Sequence, residues 1–409
     1  MIGSVLLVYN APADSLPVLF TNAVNTNNSE HIYKLIHKLI EIAHENNYAE
    51  GNLWQNFLTH FILSNENVFS LACERKKLNE SSLKFLALND FALFMKLFHI
   101  HHDNMKIIEN FIGIQEFYSP ICEFSKLLAS SKTPDEFYEY VTDFYRDYGV
   151  GIFAFNKAFR LSSSNNRLIP VQNKNVGDMK LNDIVGYEIQ KGELISNTEA
   201  FISGKPANNV LLYGDGGTGK STSVKALLNE YYSKGLRVIE IYKHQFKEIL
   251  KLTETLRRRN YKFIIFIDDL SFEENESDYK YLKAIIEGGI EARPENILIY
   301  ATSNRRHIIR EVWSDRDDME HNGDIHRSDT VEEKLSLASR FGIAINYSSP
   351  TRKMYHEIVL NLAKKSGLNF DKEKLLAGAD RWEMRHGGKT GRAARQYIDY
   401  LLGMEQKNL

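Results

Sequence analysis

Cysteine is nearly missing from this chain, and so are net charge and any long apolar run. Only Cys73 and Cys122 occur in 409 residues, far apart and in no metal-ligand spacing. That excludes a disulfide framework, and both thiols are expected to be reduced core residues of a cytoplasmic protein. The formal net charge of −2 offers no global attraction for nucleic acid or an anionic membrane, although a local basic patch is compatible with it. No segment is apolar for long enough to span a bilayer, so no membrane partner is expected. The apolar run Val5–Tyr9 has no basic flank and is followed by Asn10, Pro12 and Asp14. A buried strand or short helix is expected there, not a signal peptide.

What is present suits a globular protein of two or three domains, with 43% hydrophobic and 25% charged residues. The chain is organised around Val210-Leu211-Leu212-Tyr213-Gly214-Asp215-Gly216-Gly217-Thr218-Gly219-Lys220-Ser221-Thr222. An apolar strand runs into Gly-x-x-x-x-Gly-Lys-Ser, the phosphate-binding (Walker A) pattern, and a helical repeat follows through Val224, Leu227 and Leu228. Glycines let the backbone turn around an anion with its N–H groups inward, and the helix start adds its positive dipole end. Lys220 is expected to reach the β- and γ-phosphates of ATP, and Ser221 to ligate Mg²⁺. Lys262–Ile267 is a second apolar strand, ending in Asp268-Asp269. A carboxylate at the end of a buried strand needs a partner. Asp268 is expected to hold Mg²⁺ through water, and Asp269 to orient or activate the attacking water. No Asn-Lys-x-Asp motif follows the loop, so GTP is not the expected nucleotide.

Residues 1–160 read as a mainly helical domain. Ile32, Leu35, Ile36, Leu39 and Ala43 share one helical face, as do Trp54, Phe57, Leu58, Phe61 and Ile62. Thr133-Pro134-Asp135-Glu136 signals a helix start; its apolar face is Phe137, Val141, Phe144 and Tyr148, and Gly149 is placed to stop it. No catalytic constellation appears in this region. His99, His101, His102 and Asp103 suggest a metal site, but adjacent histidines cannot share a helical face, and a solvated helix end is the expected reading. Residues 161–180, rich in Ser and Asn, read as a linker. Residues 181–349 alternate helices with strands near Arg237–Ile241, Lys262–Ile267, Asn296–Ala301 and Gly342–Ile345, the pattern of a parallel sheet covered on both faces. Residues 350–409 read as a helical lid.

From Asp183 onward the chain resembles an AAA+ ATPase module, an α/β P-loop fold with a five-stranded parallel sheet and a C-terminal helical lid. It is most similar to a family of uncharacterised bacterial predicted AAA+ ATPases, catalogued as a domain of unknown function. The stretches carrying that likeness are residues 268–273, 287–294, 301–307, 323–326 and 330–337. The resemblance implies that Val185, Gly186 and Tyr187 pack on the adenine and that Asn304 is sensor 1, positioning the water beside the γ-phosphate. It implies that Arg340, in Ser339-Arg340-Phe341-Gly342, is an arginine finger for a neighbouring subunit. Arg392 is the first choice for sensor 2 on the lid and Arg395 the second. A homo-oligomer with ATP sites between subunits is implied too.

Two departures matter. Asp268-Asp269 stands where most AAA+ proteins have Asp-Glu, so slow turnover is expected; Glu273 lies just downstream. Tyr242-Lys243-His244-Gln245-Phe246 lacks the aromatic-apolar-Gly loop of threading unfoldases, which disfavours polypeptide threading. The leading expectation is an ATP-hydrolysing switch or remodelling ATPase whose N-terminal domain selects a protein partner. A nucleic-acid-associated ATPase resembling initiators or helicase loaders is the alternative, suggested by the Asp-Asp pair and Arg257-Arg258-Arg259, although no helix-turn-helix follows the lid. A P-loop kinase ranks third, because it accounts for the Walker motifs but not for Asn304, Arg340 and the lid together.

Overall fold

The computed structural model describes residues 6–12, 14–26, 29–76, 82–100, 103, 106–113, 120–162, 167–172, 176–272, 278–287, 294–304, 337 and 339–405. They form two compact units, Met1–Phe155 and Asn156–Leu409. Of the expected features, His101, His102, Glu273 and residues 288–293, 305–307, 323–326 and 330–336 lie outside the described residues.

The first unit is helical: α1 (Leu16–Asn25), α2 (Ser29–Glu45), α3 (Leu53–Ser64), α4 (Val68–Glu74), α5 (Ser82–Phe98), α6 (Lys106–Glu109), α7 (Pro120–Ala129), α8 (Pro134–Asp147) and α9 (Ile152–Phe155). A two-residue antiparallel bridge joins β1 (Glu50–Gly51) to β2 (Phe111–Ile112). The stripe read on α2 is buried as expected. Helix α8 begins at Pro134, and the Thr133 hydroxyl accepts from the Glu136 N–H at 3.2 Å. The return bond differs, because Glu136 accepts from the Lys132 N–H at 2.7 Å. Gly149 adopts φ 78° just past the helix.

The buried face of α8 is Phe137, Tyr138, Val141 and Tyr145; Phe144 is half-buried and Tyr148 is exposed. Tyr145 goes inside because its hydroxyl is satisfied there, donating to Ile62 O at 2.6 Å and lying 2.9 Å from the Tyr9 hydroxyl. Residues 6–9 form neither strand nor helix. The N–H groups of Leu7, Val8 and Tyr9 instead donate to the buried Asp90 carboxylate at 2.8, 2.8 and 3.0 Å. His99 is exposed just after α5, and no metal-holding group of His, Cys, Asp and Glu occurs among the described residues.

The second unit carries a seven-stranded sheet ordered β4-β3-β6-β7-β8-β5-β9. Its strands are β3 (Ala158–Leu161), β4 (Leu168–Val171), β5 (Val210–Gly214), β6 (Leu236–Glu240), β7 (Lys262–Ile267), β8 (Ile297–Ser303) and β9 (Ile343–Tyr347). The five from β5 to β9 are parallel, as expected. β7 and β8 are buried almost throughout, which is why their sequences are continuously apolar.

The expected linker differs from the structure. Ala158–Leu161 pairs parallel with β6, and Leu168–Val171 returns antiparallel as the edge strand. Pro170, which discourages a strand reading, is tolerated there because an edge strand need not donate on both sides.

Helices α10 (Glu188–Ile202), α11 (Lys220–Tyr231), α12 (Ile249–Arg257) and α13 (Tyr279–Glu287) accompany the sheet. The C-terminal α14 (Arg352–Lys365), α15 (Lys372–Arg385) and α16 (Gly391–Glu405) pack around Tyr355, Val359, Ala363, Leu375, Ala379, Ala394 and Ile398. Arg257-Arg258-Arg259 is not a uniformly solvated turn, since Arg259 is buried with its guanidinium 5.9 Å from the Tyr261 ring.

These boundaries carry a prediction. A chain starting at Asn156 is expected to fold cooperatively, whereas one starting at Leu161 loses the residues that pair with Val238–Glu240 and should melt several degrees lower. Thermal denaturation followed by circular dichroism checks this, and an insoluble Asn156 fragment would mean that the second unit cannot fold without the first.

Candidate functional site

The site grows from the end of β5. At Gly214 φ is 130°, and a Cβ would lie 2.2 Å from the Tyr347 carbonyl of β9, so only glycine lets the chain leave the sheet here. Gly217 and Gly219 also have positive φ, 75° and 99°, and Gly219 caps α11. The lid meets this loop, because the Gly391 N–H at the start of α16 donates to Gly217 O at 3.0 Å.

Lys220 is buried, and its ammonium donates to Gly214 O (2.8 Å), Asp215 O (2.6 Å) and Asn304 Oδ1 (3.1 Å). Burial pulls its pKa below the ordinary lysine value, against the attraction of Asp215, Asp269 and Asp268. The Ser221 hydroxyl donates to Asp268 Oδ1 at 2.6 Å, as does the Thr302 hydroxyl, also at 2.6 Å. Asp269 sits in the left-handed region, with φ 54°. Its N–H donates to Thr302 Oγ1 at 2.9 Å, and its carboxylate accepts from Asn304 Nδ2 at 2.7 Å. Asn304 therefore bridges Lys220 and Asp269, one from each Walker motif.

A cleft of about 700 Å³ opens over these groups. Gly216, Gly217, Thr218, Gly219, Lys220, Ser221, Thr222, Asp268, Asp269 and Asn304 line it, with Val185 and Tyr187 and both lid arginines, Arg392 and Arg395. The lining includes three groups sequence reading missed: Thr302, the apolar Ile358 and Leu362 of α14, and Met179 with Asp183. The lid residues had a readable signal as apolar positions of a helix, but nothing in the sequence aims them at the loop.

Gly186 and Tyr187 are consecutive left-handed residues, φ 77° and 59°. A Cβ at Gly186 would meet Met354 Cε at 2.5 Å, so this segment lies hard against the lid. Tyr187 stacks on Tyr347 with centroids 5.0 Å apart and donates to Ser348 O at 2.7 Å. The buried Lys191 ammonium fixes the start of the segment Ile184–Tyr187 by donating to Ile184 O at 2.8 Å.

Gly186, Gly214, Asp215 and Arg340 are not among the lining residues. Gly186 and Gly214 shape the backbone. Asp215 turns to the start of the lid, where its Oδ2 accepts from the Ser349 hydroxyl at 2.7 Å and N–H at 2.9 Å. These bonds hold its carboxyl below the ordinary carboxylate range. Arg340 stands half-buried just before β9, its N–H 3.3 Å from Leu337 O.

The donor set fits a nucleoside triphosphate with a divalent cation. A buried ammonium and a glycine-rich loop at a helix start suit phosphates, and a hydroxyl paired with a carboxylate suits Mg²⁺. The family profile described as "Protein of unknown function (DUF815)" matches residues 154–405. The chain belongs to the DUF815 family. In this DUF815 chain the parallel strands, glycine-rich loop, acidic strand end and C-terminal helices together build the cleft.

It is similar to the replication factor C large subunit of Staphylothermus marinus, at 30% identity over 115 residues. That stretch is 26% of either chain, so the match spans about a quarter of the relative's length. Among solved structures it is similar to the Thermotoga maritima RuvB Holliday junction branch migration motor, at 18% identity with a TM-score of 0.38. The alignment covers 55% of this chain and 64% of that one. A RuvB variant aligns at 18% identity and TM-score 0.40, over 56% and 66%.

Proposed function

We propose that this protein binds ATP with Mg²⁺ in the cleft, hydrolyses it slowly, and works as a cytoplasmic nucleotide switch or remodelling ATPase on a protein partner. One observation carries the reading: Lys220, Asn304, Asp269, Asp268 and Ser221 are linked into one hydrogen-bonded set through the Thr302 hydroxyl, with Arg392 on the same cleft. Lys220 and the loop N–H groups bind the phosphates, while Ser221 and Asp268 hold the metal. Mg²⁺, when bound, neutralises phosphate charge. Asp269, fixed by Asn304, orients the attacking water and accepts its proton at the carboxylate. Its side chain is one methylene shorter than glutamate, which is the reason for slow turnover.

The segment Ile184–Tyr187 and the apolar face of α14 take the base, and lid arginines Arg392 and Arg395 face the phosphate end. The chains assemble as a homo-oligomer with ATP sites between subunits, and the helical N-terminal unit selects the partner.

The division of labour is testable. Asp268→Asn is expected to weaken Mg²⁺-dependent ATP binding much more than metal-free binding. Asp269→Asn should retain MgATP and lose turnover. Calorimetry and single-turnover hydrolysis distinguish them, and identical behaviour in both assays contradicts the assignment.

A nucleic-acid-associated ATPase is the second reading, favoured by the likeness to a replication factor C subunit and by Asp268-Asp269. The burial of Arg259 weakens it, because one of the three arginines is withdrawn from the surface. Salt-dependent retention on DNA is the discriminating observation.

A further inference from the structure

Thr302 reads in the sequence as an ordinary β-branched strand residue. It is 2% exposed in β8 and lies opposite Leu212 of β5. Valine would fill that place in the strand equally well, so the hydroxyl needs a separate reason.

Its partners supply one. The single hydroxyl proton goes to Asp268 Oδ1 at 2.6 Å, and a lone pair receives the Asp269 N–H at 2.9 Å. The Thr302 carbonyl accepts from the Leu270 N–H at 2.7 Å. Three consecutive residues of the acidic turn are thus tied to one residue about 33 positions later.

The direction of each bond is fixed. An N–H can only donate, so the hydroxyl oxygen accepts from Asp269 and its proton is left for the carboxylate. Ser221 donates to the same Oδ1, so that oxygen is set between two hydroxyls. Meanwhile Asp269 is held at φ 54°, a conformation uncommon outside glycine that persists when its surroundings enforce it.

We infer that Thr302 is the positioning residue of the acidic pair, aiming the Asp268 carboxylate at Ser221 and holding Asp269 in the turn that faces Asn304. The inference rests on the proposed reading of Asp268 and Ser221 as the metal-holding pair. Thr302 touches neither nucleotide nor metal in this role. It acts through Asp268, as partners of metal-ligating carboxylates do, and loss of such a partner typically lowers metal affinity 10- to 100-fold.

The test uses the full chain as wild type, Thr302→Val and Thr302→Ser. ATP binding is measured by calorimetry without metal and at stepped Mg²⁺ concentrations, with circular dichroism as the check on folding. Thr302→Val is expected to bind metal-free ATP within about twofold of wild type, while the Mg²⁺ concentration for half the metal effect rises about 10-fold or more. Thr302→Ser keeps the hydroxyl and should stay within about threefold of wild type.

A folded Thr302→Val with an unchanged Mg²⁺ requirement overturns the inference and leaves the ATP reading intact. So does Thr302→Ser behaving like Thr302→Val, or a Thr302→Val chain that does not fold, which would assign the hydroxyl to the fold. Wild-type binding that ignores Mg²⁺ overturns the inference together with the reading beneath it.

Discussion

Arg340→Ala is expected to bind MgATP as the unmodified chain does and to hydrolyse it roughly 10³- to 10⁵-fold more slowly. The argument starts from where the residue stands. Arg340 precedes β9, the edge strand beside β5, and is flanked by the buried Leu337 and Phe341. Arg340 does not line the cleft of its own chain, so a part in hydrolysis would have to be played at the cleft of a neighbouring subunit. A guanidinium delivered across a subunit boundary stabilises transition-state charge on the γ-phosphate without contributing to ground-state binding.

The same logic predicts rescue by mixing. An Arg340→Ala subunit keeps a sound phosphate loop, and a Lys220→Ala subunit keeps a sound finger. Mixed assemblies should therefore regain hydrolysis that neither variant has alone. An inactive mixture with verified co-assembly, or full activity in Arg340→Ala, would remove the trans finger.

Lys220→Ala is expected to lower ATP affinity about 10- to 100-fold. Charge-assisted hydrogen bonds contribute about 1.5–3 kcal/mol, and each 1.4 kcal/mol is about tenfold in binding. The fold should survive, because among the described residues the ammonium bonds two carbonyls of its own loop and the Asn304 amide oxygen. Burial already disfavours the charge, so alanine removes a cost along with the bonds. Titration calorimetry beside a thermal melt checks both halves. Unchanged affinity in a folded variant would mean that the loop is not the phosphate site.

Much of the second unit is legible in the sequence because its signals are local. β7 matches the apolar run Lys262–Ile267 residue for residue, since a strand buried on both faces has no polar positions to blur it. The glycines of the loop declare a backbone that other residues adopt only with strain, and Gly214 could not carry a Cβ against Tyr347.

What stayed hidden depends on partners distant in the chain. The periodicity of α8 puts Tyr148 on its apolar face and leaves Tyr145 off it; the reverse holds because Tyr9 and the Ile62 carbonyl satisfy the Tyr145 hydroxyl inside. β3 and β4 are four residues each, one with a proline, and β3 is a strand through its pairing with β6 on one side and β4 on the other. Thr302 hid most completely. Nothing about a threonine in a β-strand announces that its hydroxyl serves two aspartates 33 and 34 positions earlier.

The most direct measurement is calorimetric titration of the unmodified chain with MgATP, alongside GTP and alongside Lys220→Ala. Saturable binding of about one ATP per chain is predicted, with markedly weaker binding of GTP and of ATP to Lys220→Ala. An unmodified, folded chain that takes up no ATP, or binds it as tightly without the Lys220 ammonium, would contradict the account.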